Sequence, residues 1–147
     1  MSEPVHPRER YHALADERPE EAFIDALSRG RMHHAWMLTG PEGLGKATFA
    51  YRAARRLLGA AADPSRGLLG SDPADRVCRL IEQDAHPDFL VLERQTEGTR
   101  VKKTISVEEA RALPEFFSKS PSMAKHRVAI IDAADDLNIS SANALLK

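Results

Sequence analysis

The chain has 147 residues, enough for one domain with its own core, and its 21 basic and 22 acidic side chains leave a net charge of −1. That balance excludes a global electrostatic pull toward nucleic acid or an anionic membrane. A single cysteine, Cys78, excludes an internal disulfide framework and any multi-cysteine metal site, and suits a reducing cytosol.

Residues 1–18 are charged and aperiodic and read as a loose lead-in to a domain over residues 19–147. Met1 to Arg10 is polar and Pro-containing, so no signal peptide is expected there. No apolar stretch is long enough to span a bilayer, and a soluble cytoplasmic protein is expected. Pro19 to Arg29 predicts a helix with Ala22, Phe23, Ala26 and Leu27 on one face, ended by Gly30. His34 to Thr39 is a short apolar run suited to a buried strand.

That strand leads into Gly40-Pro41-Glu42-Gly43-Leu44-Gly45-Lys46-Ala47-Thr48. The pattern G-x-x-x-x-G-K-[ST] turns consecutive backbone N–H groups onto a phosphate. Its lysine reaches the terminal phosphates, and its hydroxyl coordinates Mg²⁺. Here the glycines and Lys46 are present, but Ala47 replaces the hydroxyl residue. Thr48 does not restore it, being about 100° further round a helix. Beyond the loop, Phe49, Ala50, Ala53, Ala54, Leu57 and Leu58 form one helical face, with Arg52, Arg55 and Arg56 largely outside it. Strand, glycine loop and helix are the setting a phosphate loop requires.

Gly59 to Asp75, rich in Gly, Ala, Pro, Ser and Asp, reads as a mobile connection. Arg76 to Gln83 predicts a short helix, Phe89 to Leu92 a second buried strand, and Gln95 to Lys103 an exposed loop. Ser106 to Glu109 fits a capping box, opening a helix that Pro114 should kink or shorten. Arg127 to Ile131 predicts a third strand, and Asn138 caps a final helix over Ile139 to Lys147. Strands alternating with helices imply an α/β fold with a layered, largely parallel sheet.

The third strand ends at Asp132. An acid there commonly helps hold Mg²⁺, while a neighbouring carboxylate polarises the attacking water. The neighbour here is Ala133, with Asp135 and Asp136 further along. The other reading of Asp132 is a solvated acid at a strand end. Ala47 and Ala133 both fall on positions that serve metal binding and hydrolysis, and neither touches the phosphate-holding backbone. The expected site is therefore a degenerate phosphate loop, Gly40 to Thr48, with Asp132 and Asp135 as its acidic counterpart. No catalytic residue and no metal ligand is assigned. Two other functions stay open: a working ATPase or nucleotide-binding enzyme whose metal is held by Asp132 and waters, and a nucleic-acid module using Arg52/Arg55/Arg56 and Lys102/Lys103/Arg111. The basic groups are more often a solvated helix face, and no aromatic platform accompanies them.

The stretches His33 to Pro41, Gly43 to Thr48, His86-Pro87-Asp88, Ile130 to Asp135 and Ala142 to Lys147 resemble the delta-prime family of bacterial DNA polymerase III subunits. The likeness covers roughly residues 20–147. It implies an AAA+ P-loop NTPase fold, cut short before the end of the ATPase domain, with the lid and collar domains outside this chain. It also implies a stator in the clamp loader, with gamma/tau and delta subunits as partners and the sliding clamp and primed DNA as indirect ones. ATP hydrolysis is expected to be weak or absent; no cofactor is required, though ATP or ADP with Mg²⁺ could bind weakly. Many relatives carry a four-cysteine zinc module, but with Cys78 alone in that stretch no zinc is assigned. In such sheets a later strand lies between the first and third, so both edges are expected to be open here.

Overall fold

A computed structural model describes residues 6–12, 18–30, 35–38, 46–93, 96–97, 100–101, 107–133 and 136–141. Helices α1 (Arg18–Ser28), α2 (Lys46–Leu57), α3 (Arg76–Glu82) and α4 (Val107–Ser118) alternate with strands β1 (Ala35–Leu38), β2 (Phe89–Glu93) and β5 (Val128–Ala133). The short strands β3 (Thr96–Glu97) and β4 (Arg100–Val101) form a separate hairpin. Strand β6 (Asp136–Ser141) completes a four-stranded sheet in the order β1-β6-β5-β2. β2 pairs parallel with β5, and β6 runs antiparallel to both β1 and β5. The three expected strands thus share one direction, and β6 alone makes the sheet mixed.

β5 shows how the layers arise. Val128 and Ile130 join the main core with Ala50, Ala53, Ala54 and Leu57 of α2, whereas Ala129 packs with Phe117 of α4. Alternate strand residues point to opposite faces, so one strand serves both helices. Six consecutive α2 residues, Ala50 to Arg55, are buried. At 3.6 residues per turn that covers the full circumference, so α2 is enclosed rather than laid on the surface. Burial of side chains such as Phe23, Leu57, Leu69, Ile81 and Ile130 contributes about 1.5–3 kcal/mol each, which makes this cluster the main source of stability.

Several expectations need correction. The final helix is not formed over residues 139–141, which belong to β6; residues 142–147 lie outside the described residues. Leu137 and Ile139 alternate with polar neighbours, a strand period the Asn138 cap signal obscured. The segment also pairs with β1 on one side and β5 on the other, satisfying two backbone edges at once. Those edges, expected to be open, are therefore covered by β6. The loop expected over 95–103 contains the antiparallel pair β3–β4, with Thr96 opposite Val101 and Glu97 opposite Arg100. α4 runs through Pro114 to Ser118, anchored by Phe117, which is 7% exposed.

Gly59–Asp75 is no loose connection. Asp63 N donates to Gly70 O at 2.9 Å and Asp72 N to Ala61 O at 3.0 Å, closing the loop on itself. Leu69 plugs it into the core at 0% exposure. The Asp75 carboxylate caps α3 by accepting from Val77 N at 2.8 Å. In α1, Gly30 ends the helix at φ +66°, as its position implied. The buried stripe, however, is Glu20 and Phe23, with Ala22 exposed.

Candidate functional site

Lys46, Ala47 and Thr48 form the first turn of α2. Gly40, Pro41, Glu42, Gly43, Leu44 and Gly45 lie outside the described residues, as does Asp135. Ala47 is partly buried and packs against the main core. Thr48 is 2% exposed, enclosed by the protein. The first turn of α2 thus offers a lysine followed by a methyl group.

Strand register places the acidic counterpart. Leu38, the last residue of β1, pairs with Leu137; Asp132 pairs with Leu137 from the other side; and Glu93 pairs with Asp132. The backbone positions of Leu38, Leu137, Asp132 and Glu93 therefore lie in one row across the sheet. With strands about 4.8 Å apart, Asp132 sits about 10 Å from the strand end that feeds Gly40, and about 5 Å from Glu93. This row is the carboxyl end of the three codirectional strands, the edge where open α/β sheets hold ligands. Glu93 is a further acidic residue of this row that sequence reading missed. Its signal was its place directly after the Phe89–Leu92 run, matching that of Asp132 after Val128–Ile131.

The arginines of α2 point elsewhere. Arg52 and Arg55 are both 0% exposed, against the expectation that they lie outside the buried face. Arg52 Nε and Nη2 donate to the Glu20 carboxylate at 2.7 and 3.1 Å; Nη2 also donates to Arg66 O at 3.0 Å, and Nη1 to Tyr11 O. Arg55 donates to the carbonyls of Pro7, Arg8 and Arg10 at 3.2, 2.7 and 2.7 Å and lies over the Tyr11 ring, 4.1 Å from its centre. Arg56 Nη1 donates to Leu68 O at 3.1 Å. Arg52 and Arg55, so engaged, are not free to meet nucleic-acid phosphates, which removes two of the three α2 cations from that alternative. Lys102 and Lys103 lie outside the described residues. The same contacts hold residues 7–11 against α2, where a loose lead-in had been expected. Cys78 is fully buried and its thiol is pushed up to about 11 by burial, so it is inert packing.

His86-Pro87-Asp88 is a structural clamp. Asp88 is 0% exposed, and its carboxylate accepts N–H bonds from Ser122 at 2.7 Å, Met123 at 2.7 Å and Ala124 at 2.8 Å. Arg127 Nε stands 3.5 Å away, and Val128 N donates to Asp88 O at 2.8 Å. Asp88 thereby fixes the turn that starts β5, and β5 carries Asp132. Burial raises this carboxyl, but the three N–H groups and Arg127 outweigh burial and hold it below the usual carboxylate range. His86 Nδ1 accepts from Asp88 N at 3.0 Å, and burial pushes the imidazole down. Among the described residues no group of three or more His, Cys, Asp or Glu side chains could hold a metal ion. None of the described helices is long and apolar enough to cross a membrane.

A family model for DNA polymerase III, delta subunit, matches residues 15–147. The chain belongs to this family. DNA polymerase III subunit delta' of Pseudomonas aeruginosa is 33% identical over 136 residues, covering 91% of this chain and 39% of that protein. The delta' subunit of Bacillus subtilis is 30% identical over 132 residues, 88% of this chain and 36% of its own length. A DNA polymerase III subunit gamma from Buchnera aphidicola is 35% identical over 128 residues, 86% of this chain and 32% of the relative. The chain thus spans about two-fifths or less of the curated relatives it matches. Both delta' and gamma subunits of DNA polymerase III are thus among the proteins this chain is similar to.

Proposed function

We propose that this chain is the nucleotide-loop portion of a clamp-loader subunit of the delta-prime type, an AAA+ P-loop domain that helps place the sliding clamp on primed DNA as a stator. The observation that carries this reading is Ala47. Its methyl packs into the core directly after Lys46, at the position where a hydrolysing loop needs a metal-binding hydroxyl. Gly40 to Gly45 would wrap phosphates with backbone amides, and Lys46 would neutralise them. Asp132, one strand removed from β1, would retain a weak claim on a hydrated Mg²⁺, with Asp135 beyond it. Ala133 supplies no group to polarise water. ATP or ADP would therefore bind weakly and with little metal dependence, and turnover would be negligible.

A subunit that does not turn over can still hold its neighbours in register, and the relatives named as gamma and tau subunits suggest what those neighbours are. Gamma/tau and delta subunits are the proposed partners, and the protein is proposed to act in the cytoplasm. Interferometry with this chain immobilised tests the reading. Weak, saturable binding of gamma subunits is expected, with none for an unrelated P-loop ATPase. Equal signals from the two, or no gamma binding at the highest soluble concentration, would sink it.

A further inference from the structure

Residues 7–11 run along α2 and hand four backbone carbonyls, those of Pro7, Arg8, Arg10 and Tyr11, to two guanidiniums of that helix. Tyr11 completes the arrangement: its ring lies over Arg55, and its hydroxyl donates to Glu82 of α3. Yet no residue from His6 to His12 is buried. The segment's one regular element is the three-residue 3-10 turn Pro7–Glu9. It is held mainly by polar bonds to Arg52 and Arg55, with an edge contact between His6 and Tyr51. An element with few buried apolar contacts opens at a small fraction of the global unfolding free energy.

The helix side is less forgiving. Arg55 is 0% exposed and, among the described residues, makes no ion pair; its Nε has no hydrogen-bond partner. Burial pushes its pKa down. The carbonyls of residues 7–10 are therefore what keep that charge tolerable, and lifting them would drive Arg55 to rotate toward water. Arg55 lies nine positions along the same helix from Lys46, about 14 Å at 1.5 Å per residue. A short rigid helix transmits a tilt over that distance.

We propose that residues 7–11 are a releasable strap that, through Arg55 and Arg52, fixes the seating of α2 and with it the position of Lys46. Arg52 and Arg55 are then positioning residues for the phosphate loop, a consequence that rests on the reading of Lys46 given above. The strap acts on Lys46 through the helix that carries it.

Two strap residues, Arg8 and Arg10, are trypsin sites, so cleavage there reports release. Amide exchange at Ala50 and Tyr51 reports the first hydrogen-bonded turn of α2, and exchange at Ala129 to Ile131 in β5 reports global opening. In the 147-residue chain, Arg55→Met is expected to speed cleavage after Arg8 and Arg10 at least tenfold. Exchange at Ala50 and Tyr51 should rise several-fold, with β5 unchanged. Unchanged cleavage would show that Arg55 does not hold the strap. Faster cleavage with unchanged exchange at Ala50 and Tyr51 would show that the strap does not seat the helix. Either result overturns the proposal. If Arg55→Met raises exchange in β5 as well, Arg55→Lys, which keeps the charge and loses the fork, takes its place, and absence of the same two increases overturns the proposal. ATP calorimetry on the parent chain separates the two ideas: no binding defeats the phosphate-loop reading, while the exchange experiment still judges the strap.

Discussion

Replacing Asp88 by Asn changes one buried oxygen to an NH₂ group and removes the charge. In the parent, one carboxylate oxygen accepts from Ser122 N and the other from both Met123 N and Ala124 N, at 2.7, 2.7 and 2.8 Å. The amide oxygen of Asn can keep at most one of these sets, and its NH₂ then faces a donor. A buried N–H left without its acceptor costs about 1–3 kcal/mol, the surviving bonds lose their charge assistance, and Arg127 keeps its carbonyl partners but loses its counter-charge, for a total of about 3 kcal/mol. In a chain this size that corresponds to a fall in Tm of about 6–12 °C. Urea unfolding followed by far-ultraviolet circular dichroism measures it, with the midpoint moved and the slope unchanged. The pH dependence adds a second check. A carboxyl held below its unfolded value stabilises fully above that value, about 3.9, and the contribution is lost as pH falls through the lower folded value. The difference between parent and Asp88→Asn should therefore be constant from pH 7 to 5 and shrink below about 3.9. A loss under about 0.5 kcal/mol, the range of ordinary surface substitutions, would refute the clamp.

Other expectations rest on separate contacts. Glu20→Leu leaves Arg52 buried without its carboxylate and should cost about 3–5 kcal/mol by urea titration, while adding Arg52→Met should recover part of that loss. His86 is depressed by burial, so its folded form resists the proton; stability should decline as pH falls below about 6.5, with His126, also depressed, adding to the slope. His86→Asn, whose side-chain oxygen can still accept the Asp88 N–H, should flatten that decline between pH 7.5 and 5.5, and an unchanged slope would show His86 to be uninvolved. Gly70→Ala would put its Cβ 2.1 Å from Asp63 O and should cost about 1–3 kcal/mol, again by urea titration.

The helices and the three codirectional strands were legible because their periodicity reflects burial on one face or two. What escaped the sequence were places where polar residues are buried by partners far along the chain. Arg52 and Arg55 read as a solvated face because nothing local announces Glu20 or the carbonyls of residues 7–10. Gly59–Asp75 read as loose because its composition favours turns, yet Leu69 anchors it and its backbone bonds close it. β6 was misjudged because Asn138 is a good helix cap and the competing demand, two strands needing a neighbour, is a tertiary one. Spacing placed Lys46 and Ala47 at the start of a helix and Asp132 near a strand end, and the structure has them there. The distance of Asp132 from the end of β1 came only through the register with Leu137, and the pairing of β2 with β5 brought Glu93 into the same row.

The central claim is that the phosphate-holding half of the site persists while the hydrolytic half is lost, and release of inorganic phosphate from saturating ATP and Mg²⁺ by the purified chain tests it most directly. The account predicts no release above the protein-free rate, and little gain when Ala47→Ser and Ala133→Glu are combined, because phosphoryl transfer also needs a positioned arginine. Steady turnover by the unaltered chain, abolished by Lys46→Ala, would contradict it.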